Sequence, residues 1–237
     1  MRVTIHQPEH MPWLGFFHKI NMADMFVVLD NVQFRKNYFQ NRNKIRTKDG
    51  WQWITVPVKR EDLHKPIKDV GVSNEDPRWK RKLLQSIYFN YWKAKFFENY
   101  WGDLSSVFDK DHALLADLNI ELIRYLLEKL GIDVEIVLAS SLDTTGEKGE
   151  LLLNICKVVG AKTYISGISG RDYLNFDEFK KNNIKIVVQE FHHPIYKQLH
   201  EPFIPCMSVI DLLFNYGDES LNTINGIGVP VMEELFL

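Results

Sequence analysis

Residues that could transfer protons follow directly after the first apolar segment of the chain. His6-Gln7-Pro8-Glu9-His10 contains two imidazoles, an amide and a carboxylate just past the strand-like run Arg2 to Ile5. A histidine titrates near neutral pH and can act as a general acid or base if it faces a cleft. The alternative is a histidine satisfied by a backbone carbonyl, and both interpretations stay open. Because Pro8 separates the two histidines, their spacing does not match a metal-binding helix, and we predict no metal site.

A second candidate segment, Gln33 to Arg46, is rich in cations and amides. Guanidinium groups bind phosphate or carboxylate through forked contacts, while amides can hydrogen-bond to hydroxyl groups. A solvated basic loop is an equally weighted alternative. The cationic and amide side chains are Arg35, Lys36, Asn37, Gln40, Asn41, Arg42, Asn43, Lys44 and Arg46.

A third candidate segment, Ser166 to Tyr173, reads SGISGRDY and follows another apolar run. Glycines allow backbone N–H groups to approach an anion. The segment lacks the lysine of a Walker A loop and the third glycine of a dinucleotide fingerprint. Its second glycine also comes one position too early for the nucleophile elbow of serine hydrolases. By itself this segment is therefore a weak signal.

Two C-terminal segments could complete a site. His192-His193-Pro194-Ile195-Tyr196 follows the strand-like run Ile186 to Gln189 and could close a cleft from the far side. Asp211 lies within the apolar helical run Ser208 to Asn215. A buried carboxylate requires a partner, whereas a charge on the exposed stripe of a helix does not, and both interpretations of Asp211 stay open.

These segments must be positioned by strands and helices that alternate along the chain. The alternation predicts an α/β fold with an open, mainly parallel Rossmann-like sheet and right-handed crossovers. In such sheets ligands bind beyond the carboxyl ends of the strands, which is where the candidate segments follow. The predicted parallel strands are Arg2 to Ile5, Met25 to Leu29, Val134 to Leu138, Thr163 to Ser166 and Ile184 to Val188.

The middle of the chain departs from this alternation. Gln33 to Lys48 has no sustained apolar period and is predicted to be a loop that ends at the tight turn Asp49-Gly50. Trp51 to Val58 is predicted to be a strand. Residues 76–130 are predicted to form two long helices, which would make a helical lobe inserted into a single domain of residues 1–237.

Composition limits the classes of function. The 237 residues include 29 basic and 31 acidic side chains, a formal net charge of −2, so we expect no nucleic-acid partner. The aromatic content of 13% suggests a cleft or an interface lined by rings. Cys156 and Cys206 have no metal-binding or redox spacing, which favours a reducing cytoplasm. No stretch reaches the roughly 20 apolar residues of a membrane span, so we predict no membrane insertion.

Four blocks of the sequence resemble the WbqC-like family and together cover nearly the whole chain. The resemblance implies a role in building bacterial surface polysaccharide or O-antigen, as a glycine or related acyl transferase acting on an amino sugar. It implies His6, His193 and Asp30 as catalytic residues, whereas His10 occupies a place where the family commonly has tyrosine. The implied substrate-binding residues are Gln7, Gln33, Asn41, Arg42, Asn43, Gly167, Ser169, Arg171, Tyr173 and Tyr196. The blocks are IHQPEHMPWLGFFHKINMADMFVVLDNVQFRKNYFQNRNKI, WITVPV, YISGISGRDYL and FHHPIYKQLHEPFIPCMSVIDLLFNYG.

The first strand, helix and second strand also look like the start of a nucleotidyltransferase-type Rossmann domain, including the pantothenate synthetase group. The chain lacks a clear HxGH motif, so the cofactor is unknown, and ATP or another nucleotide stays open. We expect a small-molecule substrate, with a nucleotide-sugar as one candidate, and a homo-oligomer is not excluded. The alternative functions are an ATP-dependent ligase or nucleotidyltransferase, and a non-catalytic scaffold that uses an aromatic patch on its helical lobe.

Overall fold

The computed structural model describes residues 1–232 and has a five-stranded parallel sheet at its centre. The strands are β1 (Arg2–His6), β2 (Met25–Val28), β3 (Arg42–Thr47), β4 (Gly50–Thr55), β5 (Glu135–Leu138), β6 (Thr163–Ser166) and β7 (Lys185–Val188). The helices are α1 (Leu14–Asn21), α2 (Trp79–Tyr91), α3 (Phe97–Asp109), α4 (Leu115–Leu130), α5 (Lys148–Val158), α6 (Phe176–Lys181), α7 (Val209–Tyr216) and α8 (Ser220–Ile224).

The sheet has the strand order β5-β2-β1-β6-β7, and every neighbouring pair is parallel. It is open, so the predicted open, mainly parallel α/β fold is confirmed. The chain leaves β1 toward β2 on one side and later enters β6 on the other side. The carboxyl ends of β1 and β6 therefore flank the point where the strand order reverses, which is the usual ligand position in such sheets.

Helices cover both faces of the sheet and divide the core into two clusters. One cluster contains apolar residues of α1, α2, α3, α4 and α7, including Phe16, packed against Phe26 of β2. The other contains apolar residues of α5 and α6, including Phe179, whose ring stacks on that of Tyr164 in β6. Val3, Thr4 and Ile5 of β1 are all buried, so this central strand is covered on both faces. Within residues 1–232, no helix is long and apolar enough to cross a membrane.

The prediction that Gln33 to Lys48 is a loop is wrong in its second half. β3 pairs with β4 in an antiparallel hairpin that turns at Lys48-Asp49, next to the predicted turn. Asn43 and Ile45 face inward, whereas the alternate residues Arg42 and Lys44 lie over tryptophan rings on the outer face. A strand is recognised by side chains that alternate between its two faces. The cations on the outer face made this segment read as a basic loop, so the alternation was not recognised.

Residues 76–130 contain three helices, and the prediction of two is wrong. Lys110 has extended backbone after α3, and Leu115 N donates a hydrogen bond to Val70 O at the start of α4. The polar run after Asp109 therefore interrupts a helix that apolar spacing alone would continue. α4 ends, as predicted, at Gly131, whose positive φ of 69° suits glycine. The division into one domain with an inserted lobe stays a prediction.

A buried carboxylate connects the helical region to the C-terminal segments. Asp211 is fully buried on α7 and accepts hydrogen bonds from Tyr91 Oη at 2.9 Å, Tyr196 Oη at 2.7 Å and Gln198 Nε2 at 2.9 Å. Burial raises the pKa of Asp211, and these three donors oppose the rise. Tyr91 Oη also accepts a hydrogen bond from Arg46 N. Asp211 therefore has the partners that a buried carboxylate needs.

Candidate functional site

Three ionisable side chains lie together at the carboxyl end of β1, and we call them the β1 cluster: His6, which is half-buried, and Glu9 and Lys19, which are buried. Glu9 is 6% exposed and Lys19 is 4% exposed. Lys19 Nζ donates a long hydrogen bond of 3.4 Å to the carbonyl of Ile5. The cluster lies at the central strand, beside the reversal of strand order. Charged groups are seldom buried without a functional or structural reason, so this cluster is the first candidate site.

Local sequence explains how the β1 cluster forms. Proline cannot donate to a strand ladder, so Pro8 ends the pairing of β1 just after His6. The chain then turns back into α1, where Lys19 follows Phe16 by three residues and shares its side of the helix. The ring of Phe16 contacts the ring of His6 edge-on, with centroids 4.9 Å apart. α1 thus brings Lys19 over the end of the strand.

Burial shifts the protonation of all three groups. It lowers the pKa of His6 to about 3, and the positive charge of Lys19 adds to this effect. It raises the pKa of Glu9 to about 7, although Lys19 opposes the rise. It lowers the pKa of Lys19 to about 8, and Glu9 opposes that change. At neutral pH the cluster therefore contains a neutral imidazole, a partly ionised carboxyl group and a mainly charged amine.

The cluster has unused hydrogen-bonding capacity. His6 Nδ1 lies 3.1 Å from the carbonyl oxygen of Gln7, which can only accept, so Nδ1 carries the proton and Nε2 keeps its lone pair. Among the described residues, Glu9 Oε2 is buried and has no hydrogen-bond partner. A buried carboxylate oxygen without a partner costs free energy unless a ligand or water satisfies it. Both atoms could therefore bind a donor group on a substrate.

The structure brings the first two candidate segments side by side. Gln40 Nε2 donates to Gln7 Oε1 at 2.7 Å, and Gln40 Oε1 accepts from the backbone N–H of Arg35. Asn43 is fully buried and its Nδ2 donates to the backbone oxygens of His10 and Met11. Asn43 therefore positions the loop after β1 and is not exposed to a ligand.

Asn119 of α4 fixes the same two segments from the other side. Its Nδ2 donates to Pro8 O at 2.9 Å and to Gln40 O at 2.6 Å. Its Oδ1 lies 3.1 Å from His10 Nδ1. Burial lowers the pKa of His10 to about 4, so His10 is a neutral structural residue at physiological pH.

A positively lined pocket of about 420 Å³ adjoins the second segment. Arg42 lies beside it, with its guanidinium 4.1 Å from the centre of a Trp53 ring and its Nη2 donating to Asn37 O at 2.5 Å. Asn41 is 8% exposed, and its Oδ1 has no partner within residues 1–232. Gln33 is exposed, pairs by a backbone bridge with Pro66 and is not among the residues that line this pocket. The lining residues are Phe34, Lys36, Asn37, Asn41, Val58, Arg60 and Leu63.

The third segment begins at the same sheet edge, because β6 is the neighbour of β1. It forms a tight helical turn over Ile168–Asp172, with Ser169, Arg171 and Tyr173 exposed. A Cβ atom at Gly170 would lie 1.9 Å from Ser166 Oγ, so only glycine allows this turn to close. Within residues 1–232, no hydrogen bond or ion pair joins Arg171 to the β1 cluster or to Arg42.

Three other predicted site residues make contacts inside the fold. His193 is fully buried, its Nδ1 donates to Pro194 O at 2.8 Å, and its Nε2 accepts from Cys206 N at 3.1 Å. Both oxygens of Asp30 accept hydrogen bonds from Ser140. The hydroxyl of Tyr196 is occupied by Asp211. The functional roles of these residues stay predictions, and the mechanism proposed below uses none of them.

Lys19 was not selected from sequence, and Glu9 was included only as part of the first candidate segment, without a role of its own. One signal could have identified Lys19: it lies between Phe16 and Ile20 on the inward side of a short helix, where a lysine is unusual. Glu9 has no comparable signal, since its burial depends on how the loop after Pro8 folds back. In the described part of the chain, no group of three or more His, Cys, Asp and Glu side chains could hold a metal ion.

The fold and site define a parallel α/β protein with a buried ionisable cluster at the carboxyl end of its central strand. The chain belongs to the WbqC-like protein family, whose model matches residues 7–223, which confirms the resemblance noted from sequence. It is also similar to the uncharacterized protein Rv1507c of Mycobacterium tuberculosis (strain ATCC 25618 / H37Rv), with 32% identity over 222 residues that cover 92% of this chain and 95% of that relative. The search of solved structures found no match to this chain.

Proposed function

We propose that this protein is a transferase that forms an amide between an activated carboxylate, such as a glycyl group, and the amine of a nucleotide-linked amino sugar. Membership of the WbqC-like family supports a biosynthetic role, here assigned to surface polysaccharide. The observation that carries the proposal is the β1 cluster, because it combines a buried carboxyl group of pKa about 7 with a buried amine. A general base operates best when its pKa lies near the working pH.

In the proposed reaction, Glu9 accepts a proton as the sugar amine attacks the acyl carbonyl carbon. A C–N bond forms, the bond from the acyl carbon to its activating group breaks, and that group departs with the electron pair. Lys19 stabilises the negative charge that develops on the carbonyl oxygen. His6 Nε2 accepts a hydrogen bond from the substrate and so orients it. Glu9 then releases its proton to solvent.

The positively lined pocket would hold the diphosphate of the nucleotide. Lys36 and Arg60 supply two cations, Arg42 lies beside them, and no acidic residue lines the pocket. The link between Gln40 and Gln7 places this pocket's loop against the loop that follows β1. Anchoring the phosphates there would supply position for the attacking amine, not chemical activation.

A ligand screen followed by product analysis tests the proposed function. A ligand that binds only the folded protein raises the melting temperature, so we expect stabilisation by nucleotide-linked amino sugars. With a glycyl or other acyl thioester added, mass spectrometry should detect the acyl group on the sugar nitrogen. Stabilisation by ATP with release of AMP would instead identify an ATP-dependent ligase. If no nucleotide, nucleotide-sugar or amino acid stabilises the protein, the proposal is wrong.

Removing a guanidinium group from the second or the third candidate segment should weaken substrate binding. We expect Arg42→Ala and Arg171→Ala each to raise KM by about 10-fold or more, because a hydrogen bond to a charged group contributes about 1.5–3 kcal/mol. Both side chains reach the surface, so folding should be retained. Steady-state kinetics with circular dichroism would measure both effects. Arg124→Ala, at an exposed position of α4, is the control, and wild-type KM in both test variants would remove these roles.

A further inference from the structure

The outward side of α2 presents large aromatic rings to solvent. Phe89 is 69% exposed and Trp92, directly after the helix, is 51% exposed. Arg81, Gln85 and Tyr88 precede them at helical spacing on the same side. We call this surface the α2 face: Arg81, Gln85, Tyr88, Phe89 and Trp92, with Lys93 and Lys95 immediately after them.

Packing does not account for these rings. α2 buries Trp79, Leu83, Ile87 and Tyr91 against the core, and these residues recur on the opposite side of the helix. Of the outward rings, Tyr88 contacts Phe97 and Trp101, but Phe89 touches only the edge of Tyr88 among the described aromatic rings. A contiguous patch of exposed aromatic rings usually marks a surface that binds a protein, a membrane or a ligand.

The same surface carries a local excess of positive charge. Residues 77–97 contain six lysines and arginines and no acidic residue, in a chain with 29 basic and 31 acidic residues. Three of the six are paired, since Arg78 and Lys82 bind Asp76 and Lys80 binds Asp111. The other three are Arg81, Lys93 and Lys95, which form no ion pair within residues 1–232.

Two further features place the cations and apolar surface together. The ammonium groups of Lys93 and Lys95 lie over the rings of Trp92 and Phe96 at 4.9 and 4.7 Å. An open cleft of about 490 Å³ lies between α2 and α3, next to the α2 face. Leu84, Trp101 and Phe108 line this cleft. Two cations, Lys80 and Arg81, and one carboxylate, Asp109, line it as well, so aliphatic and aromatic surface is accessible beside a net positive charge.

We propose that the α2 face binds the surface of an anionic phospholipid bilayer. Exposed tryptophan and phenylalanine rings favour the boundary between headgroups and acyl chains, and lysine and arginine are attracted to anionic headgroups. A second copy of this chain is a less suitable partner for the α2 face. In such a dimer the unpaired cations of one copy would lie against those of the other and repel them. This proposal is independent of the transferase function, because it uses no residue of the β1 cluster or the positively lined pocket.

Co-sedimentation of the full chain with vesicles tests the proposal. We expect binding to vesicles of phosphatidylcholine and phosphatidylglycerol in equal parts, little binding to phosphatidylcholine alone, and release at high salt. Lys93→Glu with Lys95→Glu should lower the partition coefficient by about 10-fold or more. Phe89→Ser with Trp92→Ser should lower it by a similar factor. Both variants should keep the wild-type melting temperature, because these side chains lie outside the core.

Matched variants on the other side of the sheet provide the controls. Lys157→Glu with Lys162→Glu reverses two exposed charges, and Val158→Ser with Phe176→Ser removes two exposed apolar side chains. Both should bind anionic vesicles as the wild type does. The proposal fails if wild-type protein does not sediment with anionic vesicles, or if test and control variants lose binding equally. The proposal also fails if the α2 face variants bind anionic vesicles as the wild type does but lose dimerisation or binding to double-stranded DNA.

Discussion

Replacing Glu9 by glutamine is expected to lower turnover by about 100-fold to 10,000-fold, which is the usual contribution of a general base. Glutamine has nearly the same shape but cannot accept the proton of the attacking amine. Because Glu9 Oε2 has no partner among the described residues, the substitution breaks no hydrogen bond of that atom, and folding should be retained. Turnover would be measured with the acyl donor and amino sugar identified by product analysis.

The pH profile separates this role from a structural one. Only the ionised form of Glu9 accepts a proton, so wild-type kcat/KM should fall as pH drops through about 7. Lys19 must keep its proton to stabilise the carbonyl oxygen, so kcat/KM should also fall as pH rises through about 8. The Glu9→Gln variant should lose the acidic limb. Glu135→Gln, exposed at the amino end of β5, is the control, and an unchanged acidic limb in Glu9→Gln would assign the base to another residue.

Replacing Asp211 by alanine is expected to lower the free energy of unfolding by about 3–5 kcal/mol. The change leaves the hydroxyls of Tyr91 and Tyr196 and the amide of Gln198 without their buried acceptor. It also removes the negative charge that faces Arg46, whose side chain is 1% exposed. Urea denaturation followed by circular dichroism would measure the loss.

Asp218→Ala provides the comparison for Asp211→Ala. Asp218 is exposed and accepts one hydrogen bond, from Tyr100 Oη at 3.2 Å. Its replacement should cost less than about 1 kcal/mol, as is usual for exposed positions. Asp211 is costly to bury, as its raised pKa indicates, so a well-packed apolar replacement could recover part of the loss. Equal losses in the two alanine variants would show that the buried network contributes little to stability.

Much of the fold could be predicted from sequence, because the parallel strands are short, mainly apolar segments that alternate with helices. Met25–Val28, which reads MFVV and is buried throughout, is the clearest example, and the common edge of the strands followed from the strand and helix alternation. β3 could not be identified in the same way, since Arg42 and Lys44 lie on its outer side. The break between α3 and α4 falls at the short polar run after Asp109, and the start of α4 is fixed by a backbone hydrogen bond from Leu115 N to Val70 O, a contact between distant segments that helical spacing does not reveal.

The candidate site was predictable only in part. The loop after β1 and the segment around Asn41 were selected because of their polar residues, and hydrogen bonds from Gln40 to Gln7 and from Asn43 to Met11 hold the two side by side. The burial of Glu9 and Lys19 arises from the fold of a loop and a short helix, which residue type does not reveal. The contacts of His193 likewise depend on Cys206, which lies thirteen residues away in sequence.

The side-chain amide of Asn119 on α4 limits which insertions and deletions this fold can accept. Asn119 hydrogen-bonds to backbone atoms on both loops of the candidate site, and its oxygen faces the ring of His10. Recombination could therefore not replace the helices between β4 and β5 without removing hydrogen bonds that hold both loops in place. A relative with a shorter helical region would need other hydrogen bonds to hold both loops. Insertions and deletions should therefore be better tolerated at the exposed ends of these helices than near Asn119.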